Sequence, residues 1–231
     1  MILERFVVIV AFSAFVTACA SIPSELENVG AKLLTKCSDE ATFENSSGSA
    51  LLVSIESDAM VNSWYLEITK NESENKYLVF LEPRKFALPS RQFFNTYRLP
   101  ARMYCYRIDN GYYRITKAHG FLTTIRTSNG IQSSSTEYRE YPVSYSFAVL
   151  PGKVTYIGRI ISEDPEFAGR GYFGHMGAMM KKGIIGLFTG SLMPDIIVFR
   201  RVDSYIEDKF WLDGEYKTLR NIETTPLQNG S

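Results

Sequence analysis

Short apolar runs that alternate with polar residues, each closed by a turn signal, constrain this chain more than any other feature. Leu51, Val53 and Ile55 alternate, as do Trp64, Leu66 and Ile68, and later Tyr145, Phe147 and Val149. Successive side chains on a strand point to opposite faces, so a period of two marks a strand with one buried face. Residues 77–81, 93–99 and 103–108 form further runs, and Phe121, Thr123 and Ile125 read as one strand face. Breaks lie between them: the polar stretch 71–75, Asp109-Asn110-Gly111, Asn129-Gly130 and Pro151-Gly152. Proline presets φ and glycine accepts positive φ, so such pairs turn the chain tightly. The 14 tyrosines and 15 phenylalanines favour strands as well. Strands this short at this spacing predict an antiparallel β-sandwich or barrel, not βαβ units.

The sandwich domain is expected over residues 49–220. Residues 19–48 show little strand pattern and read as a tether and lead-in. Within them, residues 24–34 predict a short helix capped by Ser24, with Glu27 three residues on. Residues 162–194 interrupt the strand rhythm with Gly169, Gly171, Gly174, Gly177, Gly183, Gly186 and Gly190. A strand returns at residues 195–201. Residues 204–219 predict a C-terminal helix, residues 221–231 form a tail, and residues 224–231 are expected to fray.

The N-terminus has the layout of an export signal. Arg5 supplies a positive charge, and residues 6–16 are apolar apart from Ser13. That run is shorter than the roughly 20 residues a spanning helix needs. It ends in Val16-Thr17-Ala18-Cys19, which resembles the lipobox of bacterial lipoproteins. The resemblance implies removal of residues 1–18 and acylation of Cys19. Ala20 is similar to the outer-membrane sorting class, which implies an outer-membrane anchor facing the periplasm. Several acyl chains hold a domain stably where one chain does not. With Cys19 committed to lipid, Cys37 and Cys105 remain of the three cysteines. An oxidising compartment permits one structural disulfide between them. Two isolated buried thiols are the alternative.

Two further motifs carry a resemblance. Arg98-Leu99-Pro100-Ala101-Arg102-Met103-Tyr104 resembles a turn of carboxypeptidase-regulatory-like sandwiches, with Arg102 where that family has glycine. Residues 147–158, with Pro151-Gly152-Lys153 at their centre, resemble a hairpin of uncharacterised bacterial lipoproteins. The resemblance implies a sandwich and supplies no catalytic residues. In the second motif, Tyr156 and Ile157 should sit on opposite faces, and Gly158 should permit a close backbone approach.

Chemistry is sparse. Formal net charge is zero, which argues against a nucleic-acid partner. His119 and His175 are the only two histidines. Neither has a second ligand at zinc-binding spacing, and no GxSxG elbow occurs. Each is expected on a loop or surface. Gly169, Gly171 and Gly174 form a G-x-G-x-x-G string without a surrounding βαβ pattern, so phosphate binding there is not expected. Glu163, Asp164 and Glu166 lack calcium-loop spacing and read as a solvated loop. No catalytic residue, metal or cofactor is expected. The leading expectation is a non-enzymatic, membrane-anchored module that binds or scaffolds an envelope protein. An envelope hydrolase and a glycine-zipper-like membrane element are the alternatives. The best candidate for an interaction surface is the 162–194 segment, through Tyr172, Phe173, Met176, Met179, Met180, Ile184, Leu187 and Phe188, because methionine suits adaptable contacts. The competing expectation is that Met179, Ile184, Leu187 and Phe188 cover an open end of the sandwich.

Overall fold

The computed structural model describes residues 22–37, 48–57, 61–82, 102–128, 131–166, 177, 181, 191, 193–204, 222–224 and 228–229. The leader, Cys19, His175, the eight candidate contact residues from Tyr172 to Phe188, and the expected C-terminal helix beyond Ser204 lie outside them.

The described chain is mainly β. A short helix α1 (Ser24–Glu27) precedes β1 (Lys32–Leu33), β2 (Ser49–Ser57), β3 (Ser63–Lys70), β4 (Lys76–Leu81) and β5 (Arg102–Ile108). Then follow β6 (Gly111–Ser128), β7 (Ile131–Val149), β8 (Val154–Glu163), β9 (Val198–Val202), β10 (Ile222–Thr224) and β11 (Gln228–Asn229). Among the described residues these form two sheets. The first runs β1-β4-β3-β6-β7-β11, and the second runs β10-β8-β2-β5 with β9 beside β8. Both are mixed: β1 lies parallel to β4, and β8 lies parallel to both β2 and β10, while the other ladders are antiparallel. The sandwich is therefore as expected, and the purely antiparallel pairing is corrected.

Turn chemistry explains that correction. Asn129-Gly130 joins β6 to β7, which pair from Ser128↔Ile131 onward. The other two turns carry the chain from one sheet to the other. Asp109-Asn110 leads from β5 in the second sheet to β6 in the first, and Pro151-Gly152 leads from β7 back to β8. The motif around Pro151 is a corner between sheets, not a hairpin. A turn signal reports local backbone and leaves open which partner follows it.

The core lies between the sheets. Leu51, Val53 and Ile55 of β2 meet Trp64, Leu66 and Ile68 of β3 there, with Tyr113, Ile115, Ala118 and Leu122 of β6. Trp64 is fully buried. It stands edge-on to Phe199 at 5.3 Å and tilted to Tyr141 at 5.7 Å between ring centroids. A Cβ at Gly120 would come within 3.0 Å of that indole, so glycine makes the space it fills. The second sheet is covered on its other side too. Ala50 and Leu52 pack there with Met103, Val154, Tyr156, Cys37 and Cys105. That two-sided cover buries every residue of β2. Tyr156 and Ile157 do sit on opposite faces.

A disulfide joins Cys37 to Cys105, with Cα atoms 5.3 Å apart. The Cys37 N–H also donates to the Cys105 carbonyl. Residues 22–37 are therefore stapled to the sandwich at Cys37. Helix α1 stops at Glu27, where the expectation was a helix to residue 34. It has no side-chain cap, because its N-cap position is Pro23, whose side chain has no acceptor; Ser24 is already the first helical residue, and its Oγ donates to the Glu25 carboxyl. Farther on, β10 lies along β8, and β11 lies along β7 within the segment 224–231 that was expected to fray. Edge strands pair through the backbone, so their side chains need no apolar pattern to announce them.

Gly158 has φ +103°, and a Cβ there would stand 2.9 Å from the Val202 carbonyl oxygen. Gly158→Ala is expected to lower stability by about 2 kcal/mol, from backbone strain of this class. Urea unfolding measures it, and a loss below about 0.5 kcal/mol would contradict the close approach. The Cys37–Cys105 crosslink spans a sequence separation of 68. Reduction is expected to remove about 4 kcal/mol on the chain-entropy account. Equal denaturation midpoints with and without reductant would refute that contribution.

Candidate functional site

The outer face of the first sheet carries the most concentrated polar chemistry in the described structure. Its placement follows from one irregularity. The ladder between β3 and β6 runs Ser63↔Phe121 to Glu67↔Lys117, then resumes at Ile68↔Ile115. Thr116 is the extra residue, and such a bulge reverses which residues face inward. Before it, Tyr113 and Ile115 point into the core; after it, Ala118 and Leu122 do. Lys117, His119 and Phe121 are thereby turned to the outer face, beside Tyr65 and Glu67 of β3.

His119 is the centre of a line of polar side chains. Its side chain is fully buried, and Glu67 is 5 % exposed, whereas Glu140 is 43 % exposed. The Tyr138 hydroxyl donates to Glu140 Oε1 at 2.7 Å. That uses the single phenolic proton, so the 2.9 Å contact between His119 Nδ1 and Tyr138 Oη assigns the donor to Nδ1. The other nitrogen, Nε2, lies 3.4 Å from Glu67 Oε2. Lys76 Nζ reaches Glu67 Oε1 at 3.1 Å, and the Thr116 hydroxyl donates to the same oxygen at 3.4 Å. Lys117 donates to Glu140 Oε2 at 2.8 Å.

Ionisation follows from these contacts. Burial pushes the His119 imidazole below its ordinary pKa, against the pull of Glu140 and Glu67. The ring is therefore neutral at pH 7 with its one proton on Nδ1, so Nε2 and Glu67 Oε2, 3.4 Å apart, are two acceptors with no proton between them. The hydrogen bond from Lys117 holds the Glu140 carboxyl below the usual range, with help from Tyr138. The same Lys117–Glu140 bond raises the lysine. Burial raises the Tyr138 phenol, so it stays a donor.

Residues 22–33 cover part of this face. Leu26 is buried with Tyr65, Leu78 and Phe121, while Ile22, Val29, Ala31, Leu33, Phe80 and Tyr138 pack around them. Two residues farther along β3 from Glu67 the face opens into a cavity of about 250 Å³. Thr69, Lys70, Asn71, Glu74, Lys76 and Arg114 line it. Lys76 thus belongs to both the cavity and the buried line.

Sequence reading placed His119 on a loop or surface. It lies instead mid-strand and fully buried, turned by the bulge to the outer face, where the Tyr138 ring stacks on it with centroids 6.0 Å apart. The acidic trio at residues 163–166 is corrected too. Glu163 ends β8 and binds Arg200 at 2.6 and 2.9 Å, and Asp164 is buried and accepts the Glu166 N–H. The Glu67, Tyr138, Glu140 and Arg114 positions carried no sequence signal; only the ladder brings them together. Cys37 and Cys105 lie on the second sheet, away from this face. Among the described residues, no group of three His, Cys, Asp or Glu could hold a metal. None of their helices is long and apolar enough to cross a membrane. Compared with protein-family models, curated proteins and solved structures, the chain matches none.

The groups facing His119 make stability pH-dependent. They are Glu67 from β3, Tyr138 and Glu140 from β7, and Lys117 from β6. An unfolded histidine binds its proton near pH 6.5, and the folded ring does so only at lower pH. Stability is thus unaffected by this ring above about pH 6.5 and falls as pH drops from there toward the folded value. The slope reaches at most about 1.4 kcal/mol per pH unit. Glu140 adds a second loss below its ordinary value of 4.5. Urea midpoints taken from pH 7.5 to 5 test this. His119→Gln is expected to lose most of the decline between pH 6.5 and 5; an identical decline in the variant would contradict the assignment.

Proposed function

We propose that this protein is a non-enzymatic, lipid-anchored module that binds a partner at the bacterial envelope, with Cys19 carrying the acyl chains and the outer membrane as its site. The observation that carries the binding reading is the engagement of His119. A general base must reach a proton on its substrate. Here both ring nitrogens face protein groups, Tyr138 and Glu67, and the ring has no exposure. The polar line reads as a support for the sheet face, and the open cavity beside it supplies the surface for recognition. A mainly β sandwich with a disulfide suits an oxidising envelope compartment, and the Val16-Thr17-Ala18-Cys19 ending supports the anchor.

Anchoring is tested by metabolic labelling with palmitate in a bacterial host. The wild-type chain is expected to take up label, and Cys19→Ala to lose it entirely. Persistent labelling of Cys19→Ala would overturn the anchor assignment.

A further inference from the structure

We propose that the projecting end of the β6–β7 hairpin is a dimerisation arm, whose β7 edge at residues 131–136 pairs with the same edge of a second copy of this chain. The two arms join as one four-stranded sheet around a two-fold axis at Ser134. The arm lies beyond the His119 line on the first sheet, and the inference does not depend on acylation of Cys19.

The arm begins where β3 stops. Ser63, the first residue of β3, lies opposite Phe121. Beyond it β6 and β7 stay paired from Leu122↔Glu137 to Ser128↔Ile131. Among the described residues no third strand joins them there, so two strands run on together for about 20 Å. Thr123, Ser133, Ser134, Ser135 and Thr136 are all exposed. Successive residues of a strand alternate between faces, so both faces of the arm meet solvent. A two-stranded hairpin with no covered face is marginal by itself and gains from further strands.

Backbone direction identifies the open edge. The Phe121 carbonyl accepts the Asn62 N–H, and the Thr123 N–H donates to the Asn62 side chain. Alternate residues of a strand direct their N–H and C=O groups to the same side. Thr123, Ile125 and Thr127 therefore point theirs away from β7, and their ladder partners Thr136, Ser134 and Gln132 point theirs away from β6. That second row faces an edge that no described strand occupies. Exposed edges are ordinarily guarded by charged residues, proline or a bulge. The β6 stretch carries Arg126, and Asn62 closes its first N–H. Residues 131–136, Ile-Gln-Ser-Ser-Ser-Thr, contain no charge, proline or glycine, and their ladder with β6 has no bulge. Glu137, which accepts the Ser191 hydroxyl and the Met193 N–H, closes the stretch.

The sequence of this edge selects its own copy. Under a two-fold axis Ser134 stands opposite Ser134 of the second copy, Gln132 opposite Thr136, and Ser133 opposite Ser135, so no like charges meet. A foreign strand gains selectivity from side-chain pockets beside an edge. The small, exposed side chains of this one form none, whereas the same run laid antiparallel matches itself. Six residues per strand bury less than the roughly 1,200 Å² of a standard interface, so the dimer is reversible and is read by crosslinking.

The test is oxidative crosslinking of the full-length chain in intact bacterial cells, with the wild-type chain as background. Ser134→Cys is expected to give a disulfide-linked dimer, because residues directly opposed in such a pair have Cα atoms about 5.5 Å apart. Gln132→Cys and Thr136→Cys are each expected to give no dimer above background, because each stands about 14 Å from its own copy. Expressed together, those two variants are expected to crosslink to each other. Adding Ser134→Lys to both is expected to cut that mixed product about tenfold, through like charges at the axis. The melting temperature is expected to hold, since position 134 is exposed. No dimer from Ser134→Cys, or no mixed product, would overturn the proposal. So would equal yields from all three single variants, the mark of random collision, or a mixed product that Ser134→Lys leaves intact.

Discussion

One extra residue in β6 organises the functional side of this sandwich. Thr116 has no counterpart on β3, where Glu67 and Ile68 are consecutive partners of Lys117 and Ile115. The shift lets Tyr113 and Ile115 face the core on one side of it and Ala118 and Leu122 on the other. An unbroken strand would present only one of those pairs inward. β7 accommodates the same point. Its partners pass from Tyr145 to Pro142 while β6 passes from Ile115 to Lys117. Proline has no N–H to donate, and an irregular ladder is where a sheet tolerates it. The Thr116 side chain then donates to Glu67, so the bulge also helps fix the buried acid it exposes to His119.

From that irregularity the polar line follows. A buried polar group is costly without partners and acceptable with them. His119 donates to Tyr138 and Tyr138 to Glu140, Glu67 takes its donors from Lys76 and Thr116, and the two lysines at the ends, Lys76 and Lys117, reach toward solvent. The apolar side chains of residues 22–33 seal one flank. The neutral ring holds its proton on Nδ1 because Tyr138 has already given its own to Glu140. Lowering the pH asks this sealed ring to accept a second proton beside Glu67, and burial resists it.

The fold was legible in sequence wherever one face of a strand is buried. Leu51-Val53-Ile55 and Trp64-Leu66-Ile68 announced β2 and β3 by their period of two. Around residue 116 the same rule failed. Phe121, Thr123 and Ile125 marked the strand, yet it is Leu122 that points into the core while Phe121 packs with Leu26 on the outer face, because the bulge shifts the parity. The site was less legible still. His119 is one isolated histidine in Lys117-Ala118-His119-Gly120, and its partners come from 52 and 19 residues away. Nothing local encodes such a meeting. Residues 22–37 lacked alternation because they pack as a thin cover, through single contacts such as Leu26, without joining a long ladder.

These elements together define an oriented module. The cover segment, the buried line and the cavity share one face, and that face adjoins the proposed anchor. On this reading the first sheet looks toward the bilayer and the second sheet away from it. Electron paramagnetic resonance with nickel-chelating lipid headgroups tests the orientation directly. A nitroxide on Thr69→Cys and one on Lys153→Cys are compared in the lipidated protein on bilayers. Relaxation by the headgroup nickel is expected to be several-fold stronger at position 69. Equal relaxation at the two positions, or stronger relaxation at 153, would contradict the account.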